Sequence, residues 1–212
     1  PYPVATFTLE GEFQVFPPLT LRKLKQPIGK YEVISHGRDR FSTGVRDLDR
    51  ILEGVFHRGS YNLLEIEKDV AFPMERLVHP IICNFLNQDY GVVIIPPQGL
   101  SAQRVKDAIK PHVENQLLQR NLKLADYYVK GDKKQPTEPY VLRLDGKSIE
   151  EDMKKLWNTI SELRERTGKP VLSIIGYDTL EYTYGEREAL KILGEDVTRI
   201  RNFGDLGLNI IR

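Results

Sequence analysis

Phe41-Ser-Thr-Gly-Val-Arg-Asp-Leu-Asp-Arg-Ile-Leu-Glu-Gly-Val-Phe-His-Arg-Gly-Ser-Tyr-Asn-Leu-Leu64 is the stretch from which the fold can be read. Val45 to Leu52 places Leu48, Ile51 and Leu52 on one side of a short helix. Gly54 and Gly59 bracket a turn. Ser60-Tyr-Asn-Leu-Leu-Glu-Ile66 follows as a strand.

Downstream, the same alternation repeats. Pro73 suits the first turn of a helix, where its missing N–H would be unpaired anyway, and Leu77, Ile81, Ile82, Phe85 and Leu86 keep helical spacing. Val92-Val-Ile-Ile95 is a near-continuous apolar strand stopped by Pro96-Pro97. Ser101 caps a helix through Val105 and Ile109. Ala125 to Val129 and Tyr140 to Leu144 read as strands around a polar loop. Ser148 opens a helix over 149–167 that ends at Gly168-Lys-Pro170, Val171 to Ile175 is a buried strand, Glu186 to Asn202 a helix and Leu206 to Ile211 a last strand. Strands alternating with helices imply βαβ units. Strands apolar on both faces imply a mostly parallel sheet covered on both sides. The expectation is a three-layer α/β domain over residues 41–212. Residues 1–40 form a β-rich extension and linker, with Ala5 to Leu9 and Phe13 to Phe16 as a hairpin.

Composition narrows the function classes. The 212 residues carry 31 Lys and Arg against 30 Asp and Glu, a net charge of +1. That balance excludes a polybasic nucleic-acid wrapper. A single cysteine, Cys83, excludes a disulfide framework and a multi-cysteine zinc site. No apolar run approaches the roughly 18 residues of a membrane span. Pro1-Tyr-Pro-Val4 lacks both a signal-peptide pattern and a Met, which reads as a processed or excised chain. The expected location is cytoplasmic. The charge-rich, methionine-poor composition would also suit a thermophile.

Ser42, Thr43, Gly44, Val45, Leu48, Asp49, Leu52, Gly54, Gly59 and Ser60 fall in step with the segment that opens KaiC- and RecA-like ATPase domains. The resemblance covers about residues 41 to 212 and implies a RecA-like fold. It also implies a phosphate loop after the first strand, needing glycines, a Lys for the terminal phosphates and a Ser or Thr for magnesium. Here that loop falls on Ile66-Glu-Lys-Asp-Val-Ala-Phe-Pro73. Ile66 and Ala71 stand at the glycine positions, Phe72 at the lysine and Pro73 at the Ser/Thr. Glu65, Glu67 and Asp69 oppose a polyanion. Like charges about 4 Å apart repel by about 4 kcal/mol at an effective dielectric near 20.

The resemblance implies two further positions. Gln98 lies nearest the Glu that orients the attacking water in the family, and an amide cannot take that water's proton. Asp178 and Thr179 fall on the Asp-Ser that follows the Walker B strand, where the Asp holds magnesium through water. Without a phosphate loop, Asp178 is expected to make a structural hydrogen bond at the strand end. If nucleotide binding survives, Lys68, Asp178 and Thr179 are its candidate residues.

No catalytic residue and no metal ligand set is assigned. His36, His57, His79 and His112 read as surface or turn histidines, and Cys83 as a small core residue. Tyr127 with Tyr128 and Tyr182 with Tyr184 are read as packing pairs rather than base-stacking platforms. The expected function is a KaiC/RecA-like domain that has lost ATP hydrolysis, and ATP binding with it. It would act as a regulator or scaffold on protein partners, as a homo-oligomer or beside a related active ATPase, with no cofactor. The alternatives are a DNA-binding recombinase paralogue, resting on short basic segments at Arg22 to Lys25 and Lys130 to Lys134, and an ATP/Mg-binding protein with an unorthodox loop.

Overall fold

The computed structural model describes residues 6–8, 14–16, 31–52, 56–66, 74–127 and 138–211. The chain divides into two compact units, residues 1–30 and 31–212. In the first, β1 (Thr6–Thr8) and β2 (Gln14–Phe16) pair antiparallel with Phe7 opposite Val15, the hairpin read from the sequence.

The second unit begins with β3 (Arg40–Phe41), α1 (Arg46–Ile51), β4 (Phe56–His57) and β5 (Tyr61–Glu65). It continues through α2 (Met74–Asn87), β6 (Gly91–Ile95), α3 (Ala102–Ile109), a 3₁₀ turn at Lys110–His112, and α4 (Asn115–Asn121). Then come β7 (Leu122–Tyr127), β8 (Val141–Leu144), α5 (Ile149–Thr167), β9 (Val171–Gly176), α6 (Tyr177–Tyr184), α7 (Glu186–Phe203) and β10 (Leu206–Ile211). Six strands form one parallel sheet in the order β5-β10-β9-β6-β7-β8. The last strand, β10, is thus inserted between β5 and β9.

Successive strand residues point to opposite faces, which divides the core in two. Val92, Ile94, Leu172, Ile174, Leu206, Leu208 and Ile210 pack with Ile81, Phe85 and Ile109 on one face. Val93, Ile95, Val171 and Ile175 pack with Met153, Leu156, Ile160, Leu163 and Ile192 on the other. Both faces are covered, which is why the strands read as largely apolar runs rather than alternating ones.

α5 shows how locally the helices are specified. Ser148 Oγ accepts the Glu151 N–H at 3.4 Å, and Glu150, Glu151 and Asp152 occupy the positive end of the helix dipole. Gly168 ends the helix at φ +64°. Each of Met153, Leu156 and Leu163, fully buried, contributes about 1.5–3 kcal/mol. The α3 cap at Ser101 also forms, accepting the Arg104 N–H at 3.2 Å. Two helices are absent from the sequence reading. α6 is built from Tyr-Asp-Thr-Leu-Glu-Tyr-Thr-Tyr, in which all but Leu180 and Glu181 are weak helix formers, and α4 is a short, mostly polar heptad.

At the start of α5 a buried carboxylate fixes the β8–α5 turn. Asp152 accepts the N–H groups of Asp145 (2.9 Å) and Gly146 (2.7 Å) and the hydroxyl of Tyr184 (2.7 Å). Replacing it by alanine orphans two backbone donors and a phenol. Asp152→Ala is expected to cost about 3–5 kcal/mol. Urea unfolding checks this as a lower midpoint at unchanged slope.

Candidate functional site

The segment leading into β5 is held by one carboxylate. Asp49 accepts the Ser42 hydroxyl at 2.5 Å, the Thr43 hydroxyl at 2.6 Å and the Thr43 N–H at 2.7 Å. Ser42 Oγ accepts the Gly44 N–H at 3.0 Å, and Thr43 Oγ1 the Val45 N–H at 3.2 Å. Ser42 and Thr43 are buried. Gly44 has φ +77°, and a Cβ there would lie 2.6 Å from the Pro80 carbonyl oxygen of α2. Ser-Thr-Gly followed by Asp49 is therefore a clasp that sets α1 and seats the chain against α2.

The clasp extends upstream. Asn84 of α2 accepts the Ile34 N–H (2.9 Å) and donates to the Ile34 carbonyl (3.0 Å). Gln88 donates to the same carbonyl at 3.0 Å. His36 Nδ1 accepts the Ser42 N–H at 3.1 Å, and its ring packs among Phe41, Phe85 and Tyr90. His36 is thus no surface histidine. Burial, helped by Arg58, lowers its imidazole to about 4. His79 is likewise buried, which corrects its reading as a surface or turn residue.

β5 runs directly into Ile66, whose N–H donates to the Ile211 carbonyl at 2.8 Å and whose side chain is buried in the core. The first loop position thus extends the ladder. Lys68 and the remainder of the loop, residues 67–73, lie outside the described residues, as do Tyr128 and the Lys130 to Lys134 segment.

The other two sequence positions meet. The Gln98 N–H donates to Asp178 Oδ2 at 3.1 Å, and Gln98 Nε2 donates to the Asp178 carbonyl at 3.2 Å. Asp178 Oδ1 accepts the Thr179 N–H at 2.9 Å. The Thr179 hydroxyl donates to the Pro96 carbonyl at 2.8 Å. Asp178 and Thr179 head α6 and tie it to the turn after β6. Gly176, which interrupts the apolar run before Asp178, explains itself: a Cβ there would lie 2.3 Å from the Pro97 Cα. The Pro96-Pro97 turn rests on the end of β9 because residue 176 has no side chain.

Cys83 is buried as expected, and burial pushes its thiol up to about 12, far from a nucleophile's range. The tyrosines pair differently from their order in sequence. Tyr127 meets Tyr184 edge-on at 6.2 Å, while Tyr182 is exposed. Among the described residues no group of three or more His, Cys, Asp or Glu side chains is placed to hold a metal, and no helix is long and apolar enough to cross a membrane.

Comparison with known proteins adds a relationship. Residues 30–129 match the family model described as GvpD basic region 2. Protein GvpD1 of Halobacterium salinarum is 40% identical over 96 residues, which cover 43% of this chain and 18% of that protein. Protein GvpD2 of the same organism is 26% identical over 207 residues, covering 85% of this chain and 39% of that protein. The chain spans less than half the length of either relative. The matched region is not itself basic here, since residues 30–129 hold 13 Lys and Arg and 13 Asp and Glu.

A pH dependence follows from His36. Its imidazole is neutral in the folded state down to about 4 but titrates near 6.5 when unfolded. Between those values the unfolded chain binds the extra proton, so stability falls as pH drops, by at most about 1.4 kcal/mol per pH unit. In thermal melts the native chain should lose stability relative to His36→Asn as pH falls from 6.5 to 4, since the comparison cancels the contributions of other groups. Parallel curves would reject the assignment.

Proposed function

We propose that this chain belongs to a non-hydrolysing regulator of RecA/KaiC-like ancestry, of the GvpD kind, that acts through protein partners and needs no nucleotide. The observation that carries this reading is the use made of Asp178. A hydrolysing relative would turn this carboxylate to a hydrated magnesium. Here its two oxygens accept the Gln98 and Thr179 N–H groups while Pro97 rests on Gly176. The loop sequence agrees, with Ile66 and Ala71 at glycine positions, Phe72 for lysine and Pro73 for the Ser/Thr. On this reading the Walker A motif is degenerate, and the similarity to the GvpD proteins supports a regulatory role of the gas-vesicle kind.

Evenly matched charge across residues 30–129 gives no support to a DNA-binding role, which would call for a basic groove. A protein partner, either a second copy or a related protein, fits the mixed-sign surface better.

Titration with MgATP, with ADP as control, tests the proposal. A ligand at a hundred times its dissociation constant would stabilise the protein by about 2.7 kcal/mol. The expected result is no binding heat and no shift in melting temperature. Saturable binding that Asp178→Ala and Lys68→Ala abolish would overturn it.

A further inference from the structure

Helix α7 lies over a patch of the sheet built from small and polar residues. Gly207 of β10 is one: a Cβ there would lie 2.4 Å from Ile200 Cδ1 of α7 and 2.5 Å from the Tyr61 ring. Ser173 of β9 pairs directly with Gly207 and faces the same way. Between this patch, α5 and α7 is a cavity of about 20 Å³, lined by Trp157, Arg164, Ser173, Asp196, Arg199 and Asp205 among others. That exceeds the roughly 10–15 Å³ one water requires.

The polar groups of this cavity are unevenly satisfied. Asp205 is fully engaged, accepting the Arg164 guanidinium and the Val171 N–H at 2.8 Å. Asp196 Oδ1 accepts the Trp157 indole N–H at 3.2 Å, and Arg199 stacks on that indole at 3.9 Å. Asp196 Oδ2 and Ser173 Oγ, both deeply buried, have no protein partner among the described residues. Asn209, two residues beyond Gly207 on the same sheet face, shares that condition at both side-chain atoms. Buried polar atoms are nearly always hydrogen-bonded. An orphaned carboxylate oxygen and an orphaned hydroxyl lining one water-sized cavity define their ligand by chemistry: a small neutral group that both donates and accepts.

We propose that the α5–α7 cavity is a built site for a single water, bridging Asp196 Oδ2 and Ser173 Oγ and docking α7 onto β9. Several groups act on that carboxyl. Trp157 comes from α5, Arg199 from α7 itself, Asp205 from the turn before β10 and Tyr61 from β5, while Arg164 of α5 lines the same cavity paired to Asp205. Their net effect leaves burial dominant, which raises the Asp196 carboxyl to about 6 despite the indole bond and Arg199. The water is therefore held beside a carboxyl that changes charge near neutral pH. An acid raised on folding lends stability that is lost as pH climbs from its ordinary range through its folded value, so α7 is docked most firmly in mild acid.

The test uses the whole chain and two readouts: a high-resolution crystal structure, and titration of the indole N–H resonance of Trp157, the only tryptophan. The first should show one oxygen-weight peak within bonding reach of Asp196 Oδ2 and Ser173 Oγ. The indole resonance should titrate in the native chain and stay flat in Asp196→Asn. Ser173→Ala removes a partner of the bridging water and should move the midpoint upward, because the ionised carboxylate loses support. Ser173→Cys keeps the volume and should fall between. A dry cavity, a heavier ion in it, or an indole midpoint unmoved in both Ser173 variants would overturn the proposal.

Discussion

The contact of Pro97 with Gly176 sets the carboxyl end of the sheet, because a Cβ at residue 176 would lie 2.3 Å from the Pro97 Cα. β6 and β9 are hydrogen-bonded neighbours, with Ile95 opposite Ile175. One residue beyond that pair, the β6 chain turns through Pro96-Pro97 and lies on residue 176 at a distance no side chain would allow. With the turn seated there, the Gln98 N–H meets the Asp178 carboxylate and the Thr179 hydroxyl reaches Pro96. These bonds fix the start of α6, and the α6–α7 pair follows. A feature that looks like a flaw in an apolar strand is therefore the seat of the turn.

The same logic holds at the amino-terminal side. Asp49 gathers Ser42 and Thr43, and Gly44 lets the chain pass the Pro80 carbonyl. Those residues carry the resemblance to ATPases, and the bonds they make to one another order the chain locally. They are a scaffold device: they seat α1 and the entry to β5, and that task survives whether or not the following loop binds an anion. On the proposed reading, this separation lets an approach segment that resembles the ATPases stand beside a loop sequence that departs from their pattern.

Much of the fold was legible in the sequence because its cues are local. Ser148 and Ser101 cap the helices they precede, Gly168 ends α5, and β6, β9 and β10 take their expected places, whereas β7 begins at Leu122, three residues before the strand read from Ala125. What escaped the reading depends on partners distant in sequence. α6 has weak helical propensity and is fixed by its ties to Pro96 and Gln98, some 80 residues away. His36 looks like a turn residue until Phe41, Phe85 and Tyr90 close around it. Tyr127 finds Tyr184 rather than a sequence neighbour. Asp178 was legible as a structural acceptor, but the identity of its donors was not. Asp196 and Ser173 gave no signal, since neither belongs to a motif and only the crossing of α7 over β9 brings them together.

The central claim is that the protein's own backbone occupies the Asp178 carboxylate. Hydrogen exchange of the Gln98 and Thr179 amides reads this directly. The account predicts that both are protected in the free protein, that MgATP leaves them unchanged, and that Asp178→Ala releases them together. Rapid exchange in the free protein, with protection appearing only when MgATP is added, would contradict it.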